Sequence, residues 1–222
     1  MGLAVLFSRG RSGIDAPLVM VEVHVANWLP ALNIAGLPET AVKESKDRVR
    51  GAILNSRFEF PAQRITVNLA PADLPKEAGR FDLAIALGIL AASGQIPSTN
   101  LKQCESIGEL SLSVELRAIN GVLPIAIQAR NHQRKLIHPK ESIAEAALVK
   151  GIEIIPASHL LEVCAHLSGQ TQIQTEYQQT EQSAPANDLD FADVHGQFHV
   201  KRAFEIAAAG AHNLIIIVSP FS

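Results

Sequence analysis

Cysteine and aromatic residues are scarce in this chain. Its 222 residues include only two cysteines, one tryptophan and one tyrosine, and aromatic residues make up 5% of the total. Two widely separated cysteines, Cys104 and Cys164, are typical of a reducing compartment and not of a disulfide-stapled scaffold. We therefore expect an aliphatic core in which both thiols are buried and inert.

Charge and long apolar runs are also limited. Charged residues make up 18% of the chain and the net charge is -3, so composition gives no global electrostatic case for a nucleic-acid or membrane partner. No window reaches the roughly 20 apolar residues of a membrane span. The first residues lack the positive charge of a signal peptide. Because 47% of the residues are hydrophobic, disorder throughout is excluded, and a soluble cytoplasmic protein is expected.

Hydrophobic periodicity predicts an α+β domain of mixed α/β character. Residues 17–26 alternate as a strand, with Val19, Val21, Val23 and Val25 on one face. A helix is predicted over residues 39–56 after Pro38, and residues 81–94 form a central buried helix because nearly all their sides are apolar. The remaining predicted elements are strands at 3–8, 29–36, 64–71, 136–139 and 152–156, a hairpin within 106–119, and helices at 123–135, 141–151 and 158–169.

Composition divides the chain into three parts. Residues 1–169 are predicted to form one domain, and residues 170–189, rich in Gln and Thr, have the composition of a polar linker. Residues 190–222 contain a turn, an Ala-rich helix and the apolar run Leu214 to Val218, which predicts a buried strand. These last elements are too few to form a domain by themselves.

The residues after the terminal apolar run stand where a nucleotide-binding loop would follow a strand. P-loop proteins follow such a strand with a glycine-rich loop and a lysine, whose amides and ammonium hold the phosphates. Here Val218 is followed by Ser219, Pro220, Phe221 and Ser222, without glycine or lysine. These residues supply no phosphate cradle, so neither ATPase activity nor a bound cofactor is expected of this chain.

Several long phrases resemble one family closely. "VEVHVANWLPALNIAGLPETAVKESKDRVRGAILNSRFEFP", "RITVNLAPADLPKE", "FDLAIALGILAASGQI" and "DFADVHGQFHVKRAFEIAAAGAHNL" are similar to the ComM/YifB family of magnesium-chelatase-like AAA+ ATPases. The resemblance implies an amino-terminal domain like the peptidase domain of Lon, with the fold of the second domain of ribosomal protein S5. Only the incomplete start of an AAA+ module would follow it.

The family's nucleotide-binding phrase continues as Gly-Pro-Pro-Gly-Ser/Thr-Gly-Lys. Val218, Ser219 and Phe221 stand where that loop has Gly, Pro and Gly, whereas Pro220 and Ser222 fit it. The resemblance therefore implies a truncated member of the family with a degenerate loop.

Likeness to Lon raises the question of proteolysis, which there depends on a serine nucleophile and a lysine base. In "PKEAGR" the position of that serine is taken by Arg80, and in "NGVL" the position of the lysine is taken by Leu123. Both catalytic groups are replaced, so peptidase activity is not expected.

Full-length relatives are implied to be ATP- and magnesium-dependent hexameric motors that promote DNA branch migration in natural transformation. This chain would retain a binding or assembly role, with full-length homologues or its own copies as partners. Two alternatives stay open at the level of sequence. An ATPase could be completed by a separate polypeptide, or the chain could dock on full-length homologues and interfere with their ring.

A basic stretch offers candidate DNA contacts at Lys43, Lys46, Arg48 and Arg50, with Arg57 and Arg64 further along. Three carboxylates in the same helix dilute it, which favours a solvated helix face. Those carboxylates are Glu39, Glu44 and Asp47.

Two other features are weaker. His195 and His199 have the spacing of a helical zinc pair, but no glutamate follows His195 and no third ligand is near, so no metal site is expected. Trp28 and Arg57 stand where the family pattern commonly has glycine. If either position requires a positive φ, a side chain there costs about 1 kcal/mol.

Overall fold

The computed structural model describes residues 2–72, 74, 78–174 and 193–217. By its contacts the chain divides into two compact units, residues 1–180 and 181–222. Within the described ranges, every helix is too short or too polar to cross a membrane. The division falls inside the predicted linker, whose boundaries stay a prediction because residues 175–192 lie outside the described ones.

The first unit is built on a seven-stranded mixed sheet accompanied by a small hairpin. Its strands are β1 Gly2–Arg9, β2 Leu18–Ala26, β3 Ala31–Ala35, β4 Arg64–Ala70, β5 Cys104–Ser106, β6 Glu109–Leu110, β7 Leu116–Arg117, β8 Lys135–Pro139 and β9 Ile154–Ala157. The sheet order is β3-β4-β2-β1-β5-β8-β9, and β6 and β7 form the predicted hairpin. Strand β2 pairs antiparallel with β1 and β4, whereas the other neighbours are parallel. The predicted mixed α/β class is confirmed.

Alternation in the strands is as the sequence predicted. Val19, Val21, Val23 and Val25 of β2 are all buried on the face that packs against helices. On the opposite face of the same region, His24 and the β4 residues Arg64, Thr66 and Asn68 are exposed. One face of β2 and β4 therefore builds the core while the other meets solvent, as in an antiparallel sheet covered on one side.

The helices of the first unit follow the predicted order, with one much shorter than expected. They are α1 Glu39–Asn55, α2 Asp82–Ala92, α3 Val122–Asn131, α4 Ile143–Ala146 and α5 Leu160–Leu167. Helix α2 is the central buried helix, because every residue from Asp82 to Leu90 is buried. Helix α4 ends at Ala146, so the prediction of a helix over residues 141–151 was wrong in length. Most of that segment instead forms turns, including a 3₁₀ turn at Lys140–Ser142.

Two hydrophobic clusters occupy the two faces of the sheet. The larger contains the buried sides of α1, α2 and α5 together with Ile137 and Ile155. The smaller contains α3 and α4 with Leu136 and Ile154, the sequence neighbours of that pair. Strands β8 and β9 are therefore apolar on both faces, as parallel strands covered on both sides are.

The two positions at which the sequence departs from the family glycines differ in backbone conformation. Arg57, just past the end of α1, has a φ of 62°, so the condition of a positive φ is met there. Trp28 is not among the residues with positive φ. Only Arg57 therefore carries the cost of about 1 kcal/mol or more for a side chain in the left-handed region.

The second unit contains helix α6, Phe198–Gly210, as the predicted Ala-rich helix. The predicted strand that follows was wrong for its described part, because residues 212–217 form neither helix nor strand and Ile215 and Ile217 are exposed. A strand is defined by hydrogen bonds to a neighbouring strand. No strand is present among residues 193–217 to provide them.

Candidate functional site

Arg80 and Leu123, which the sequence predicts to stand at the positions of the Lon serine and lysine, both make structural contacts. Arg80 lies in the 3₁₀ turn Ala78–Phe81 just before α2, and only 3% of it is exposed. Its Nη2 donates to the backbone carbonyl of Asn120 at 2.9 Å, three residues before Leu123. Leu123 is half-buried in the first turn of α3 and packs against the smaller hydrophobic cluster. The site thus has a buried cation and an aliphatic side chain where a nucleophile and a base would be needed.

The backbone donors beside Leu123 are also occupied. The Glu145 carboxylate accepts the N–H groups of Val122 at 2.7 Å and Leu123 at 3.3 Å. Free N–H groups at a helix start are the usual means of stabilising a developing oxyanion. Here an internal carboxylate caps them, which fixes the start of α3 to α4.

A serine–lysine pair at another place in the described residues would also suit a peptidase. In the stretches 2–72, 78–174 and 193–217, no hydrogen bond joins a serine hydroxyl to a lysine amine. Ser45 is the deepest hydroxyl with a charged partner, donating to a carboxylate oxygen of Asp82 at 2.7 Å. A hydroxyl that donates to a buried carboxylate at the start of a central helix supports the fold and is closed to a substrate.

The basic residues of α1 divide into two kinds. Lys43 and Arg50 are exposed and Lys46 is half-buried. Arg48 turns inward, and its Nε donates to Asp82 Oδ2 at 2.6 Å. The charge of Arg48 is therefore used inside the protein, whereas the other three candidates lie where a phosphate could reach them.

Asp82 is the most strongly perturbed carboxylate in this region and was missed by sequence reasoning. It is fully buried, and burial raises its pKa to about 6, against the opposing effect of hydrogen bonds from Arg48 and Ser45. The backbone N–H of Leu110 lies 3.4 Å from Oδ2. The one signal for it was an aspartate at the start of an otherwise apolar helix, where an acidic group also suits the helix dipole. Asp82 joins α1, α2 and β6 in one polar contact.

A second buried ion network was also missed. Arg9 binds both carboxylate oxygens of Glu105, at 2.6 and 2.7 Å, and its Nη1 donates to the carbonyl of Ala16. Arg134 adds a 3.2 Å contact to Glu105 and places its guanidinium 3.9 Å from the ring centre of Phe7. A cleft of about 400 Å³ opens beside Arg9, but the guanidinium is already bonded to groups of the protein. This network ties β1 to β5 and to the segment after α3.

The remaining predicted features lie in the second unit. His195 and His199 are exposed, and His195 precedes α6, so the pair does not occupy one helical face. Among the described residues, no group of three or more potential ligands could hold a metal ion. The degenerate nucleotide-binding positions Val218, Ser219, Pro220, Phe221 and Ser222 lie outside the described residues.

Comparison with known proteins gives two family matches. The profile of the family described as subunit ChlI of Mg-chelatase matches residues 21–142. A second profile, described as magnesium chelatase, subunit ChlI, matches residues 190–222. Together they cover most of β2, strands β3 to β8, helices α1 to α3 and the segment around α6.

Individual relatives match along almost the whole chain. Competence protein ComM of Haemophilus influenzae is 48% identical over 99% of this chain and 44% of its own length. The YifB proteins of Salmonella typhimurium and Escherichia coli are each 46% identical over 99% of this chain and 43% of their own length. The chain thus spans less than half the length of these curated relatives.

Proposed function

The chain belongs to the magnesium-chelatase-like ComM/YifB family, and on that premise we propose that its first unit is a binding and assembly domain without peptidase activity. In this proposal the domain presents surfaces to other subunits and to DNA, and the sheet with its helices acts as a rigid support.

The observation that carries the proposal is that the two residues predicted to stand at the Lon serine and lysine positions both make structural contacts. Arg80 is buried with its guanidinium on the Asn120 carbonyl, and Leu123 packs into a hydrophobic cluster. Neither side chain can act as a nucleophile or a base near neutral pH. A domain that has filled these positions with structural groups is better suited to binding than to hydrolysis.

The name of the Haemophilus influenzae relative suggests the biological setting. That relative is a competence protein, and we propose that this chain likewise serves in natural transformation. In the whole relatives the role would be ATP-driven branch migration of DNA by a ring. The first unit would supply subunit contacts in such a ring, formed with full-length homologues or with copies of this chain.

The exposed part of α1 is the proposed DNA contact that the sequence already indicated. Lys43 and Lys46 are separated from Arg50 by about two helical turns or less, and none of the three forms an ion pair with a described carboxylate. Arg48 is removed from this set because it is bound to Asp82. Nucleotide binding through residues 218–222 is not part of the proposal, since no glycine or lysine is present there.

Two assays on the purified chain test the proposal together. Light scattering after size exclusion should show association with a full-length family member, and an unfolded fluorescent protein substrate should stay intact. Hydrolysis that is lost on substituting any serine of the first unit would refute the absence of peptidase activity. Failure to associate with itself or with a full-length relative at high concentration would refute the assembly role.

A further inference from the structure

The loop between β2 and β3 carries an exposed aromatic tip. Trp28 is 67% exposed and Leu29 is 86% exposed, and Trp28 is the single tryptophan of the chain. A backbone hydrogen bond from the Trp28 N–H to the Ala26 carbonyl, at 2.8 Å, holds the turn close to the end of β2. A large ring held in solvent on a tight turn is available for contact with a flat partner group.

Three exposed arginines of the first unit have no carboxylate partner within the described part of the chain: Arg50, Arg57 and Arg64. Several other arginines of the first unit are paired with carboxylates, as Arg9 is with Glu105 and Arg48 with Asp82. Guanidinium groups left without an internal anion are the ones that can bind an external one.

Strand pairing brings Arg64 and the Trp28 loop to the same end of the sheet. Arg64 is the first residue of β4 and pairs with Ala26 on one side and Ala31 on the other, the two residues that flank the Trp28 loop. The side chain of Gln63 donates a hydrogen bond to Asn27 of the same loop. The base of the tryptophan turn and the start of β4 are therefore directly joined.

The segment leading into β4 adds the other two arginines. Arg57 follows the end of α1 and lies seven residues before Arg64 along the connection to β4. The guanidinium of Arg50 lies 5.1 Å from the ring centre of Phe60, which belongs to that connection. Within the segment 57–64, Arg57 and Arg64 outnumber the single carboxylate, Glu59, and Arg50 adds a positive charge from α1.

The end of α1 sets the backbone at Arg57. Its φ of 62° is that of a left-handed residue closing a helix, since the N–H of Arg57 donates to the Leu54 carbonyl at 3.0 Å and the N–H of Phe58 to the Ile53 carbonyl at 3.2 Å. Glycine favours this conformation, so the arginine side chain is kept at a cost in stability. The Arg57 side chain is exposed and makes no ion pair with the described residues, which leaves its charge available to a partner.

We propose that Trp28, Arg50, Arg57 and Arg64, the sheet-end patch, form a contact surface for single-stranded nucleic acid. The arginines bind backbone phosphates and the exposed indole stacks on an unpaired base, which is how strands are held without sequence preference. The bases of a duplex are already stacked on one another and offer no face to the indole. This inference deepens the proposed function and rests on it, because it names the strand form that the domain contacts and where.

The test uses the whole chain and a labelled thymidine oligonucleotide of about 15 nucleotides, the upper range of a small single-strand site. Fluorescence anisotropy should report binding that weakens with salt, and emission from Trp28 should be quenched on the same titration. Trp28→Ala should weaken binding about tenfold through loss of one stacked base. Arg64→Ala should weaken it and lower the slope of log affinity against log salt by about 0.7.

Arg57→Gly separates function from folding. Glycine relieves the positive φ, so this variant should melt at a higher temperature than the parent chain while binding the oligonucleotide more weakly. The matched control is Arg130→Ala, which removes an exposed arginine of α3 that bonds to Asn131 and should leave affinity unchanged. If Arg57 had only a structural role, Arg57→Gly would not raise the melting temperature and weaken oligonucleotide binding at the same time.

Several results would overturn the inference. These are no binding at low salt, affinity unchanged in Trp28→Ala and Arg64→Ala, or equal competition by duplex DNA or by polyglutamate. Assembly is measured separately by light scattering, and the patch variants should assemble like the parent chain. Loss of assembly with intact oligonucleotide binding would count against the proposed function alone.

Discussion

Replacing Arg48 should destabilise the protein, because it leaves the buried Asp82 carboxylate without its cation. Asp82 is fully buried, and its charge is balanced by Arg48 Nε at 2.6 Å and supported by Ser45 at 2.7 Å. The change Arg48→Met keeps much of the aliphatic stem and deletes the guanidinium. Breaking a buried pair costs about 3–5 kcal/mol, and the lower end applies because Arg48 is partly exposed. We therefore expect the free energy of unfolding to fall by about 3 kcal/mol at pH 8.

The pH dependence of that loss follows from the pKa of Asp82. Burial already raises the pKa to about 6, and deleting Arg48 removes a hydrogen bond and a charge that oppose the rise. A folded pKa above the unfolded value means that stability is greatest at low pH and is lost as the pH rises through the folded pKa. The Arg48→Met variant should therefore be less impaired at pH 5 than at pH 8.

Urea unfolding followed by circular dichroism at the two pH values measures both effects. Adding Asp82→Asn to Arg48→Met should restore most of the loss, because no buried charge then lacks a partner. Lys43→Met on the exposed face of the same helix is the control and should change stability by less than about 0.5 kcal/mol. A loss at pH 8 as small as that of the control, or strict additivity in the double variant, would refute the reasoning.

Three further predictions concern buried groups elsewhere in the first unit. Burial lowers the pKa of His138 to about 4, so acidification from pH 7 to pH 4 should destabilise the chain by about 3 kcal/mol through this group. The variant His138→Leu should therefore show a smaller fall of the urea midpoint between pH 7 and pH 4. A fall as large as that of the parent chain would contradict the assignment. Burial raises the pKa of Cys104 to about 11 and that of Cys164 to about 12. An aromatic disulfide reagent at pH 8 should therefore label both thiols only after the chain is unfolded. Rapid labelling of the native chain would contradict this prediction. Glu105→Gln should lower the free energy of unfolding by about 3 kcal/mol or more, because it leaves the buried Arg9 without its carboxylate. A melting temperature within a degree of the parent chain would contradict this prediction.

Local pattern was enough to predict most of the elements in this fold. The valines of β2 alternate over nine residues, and α2 is apolar on every side, so their burial follows from periodicity and composition. Helix α4 was predicted to extend over residues 141–151, but it covers only Ile143–Ala146, and the residues after it form turns.

The polar contacts could not be predicted, because they join residues far apart in the chain. Arg48 and Asp82 are separated by 34 residues, and Arg9 and Glu105 by 96. Nothing in the local sequence distinguishes Arg48, which faces inward, from the exposed Arg50 two positions later. The same reason hid the sheet-end patch, since Trp28 and Arg64 become neighbours only when β2, β3 and β4 pair.

The central claim, that the first unit is a binding and assembly domain of the ComM/YifB family, is tested most directly by sedimentation velocity. Fluorescently labelled chain would be mixed with an unlabelled full-length family member over a range of concentrations, and the labelled boundary followed alone. We predict that the labelled chain moves into the faster boundary of the full-length assembly and returns to its own boundary on dilution. Sedimentation at the rate of the isolated chain at every concentration would contradict the account.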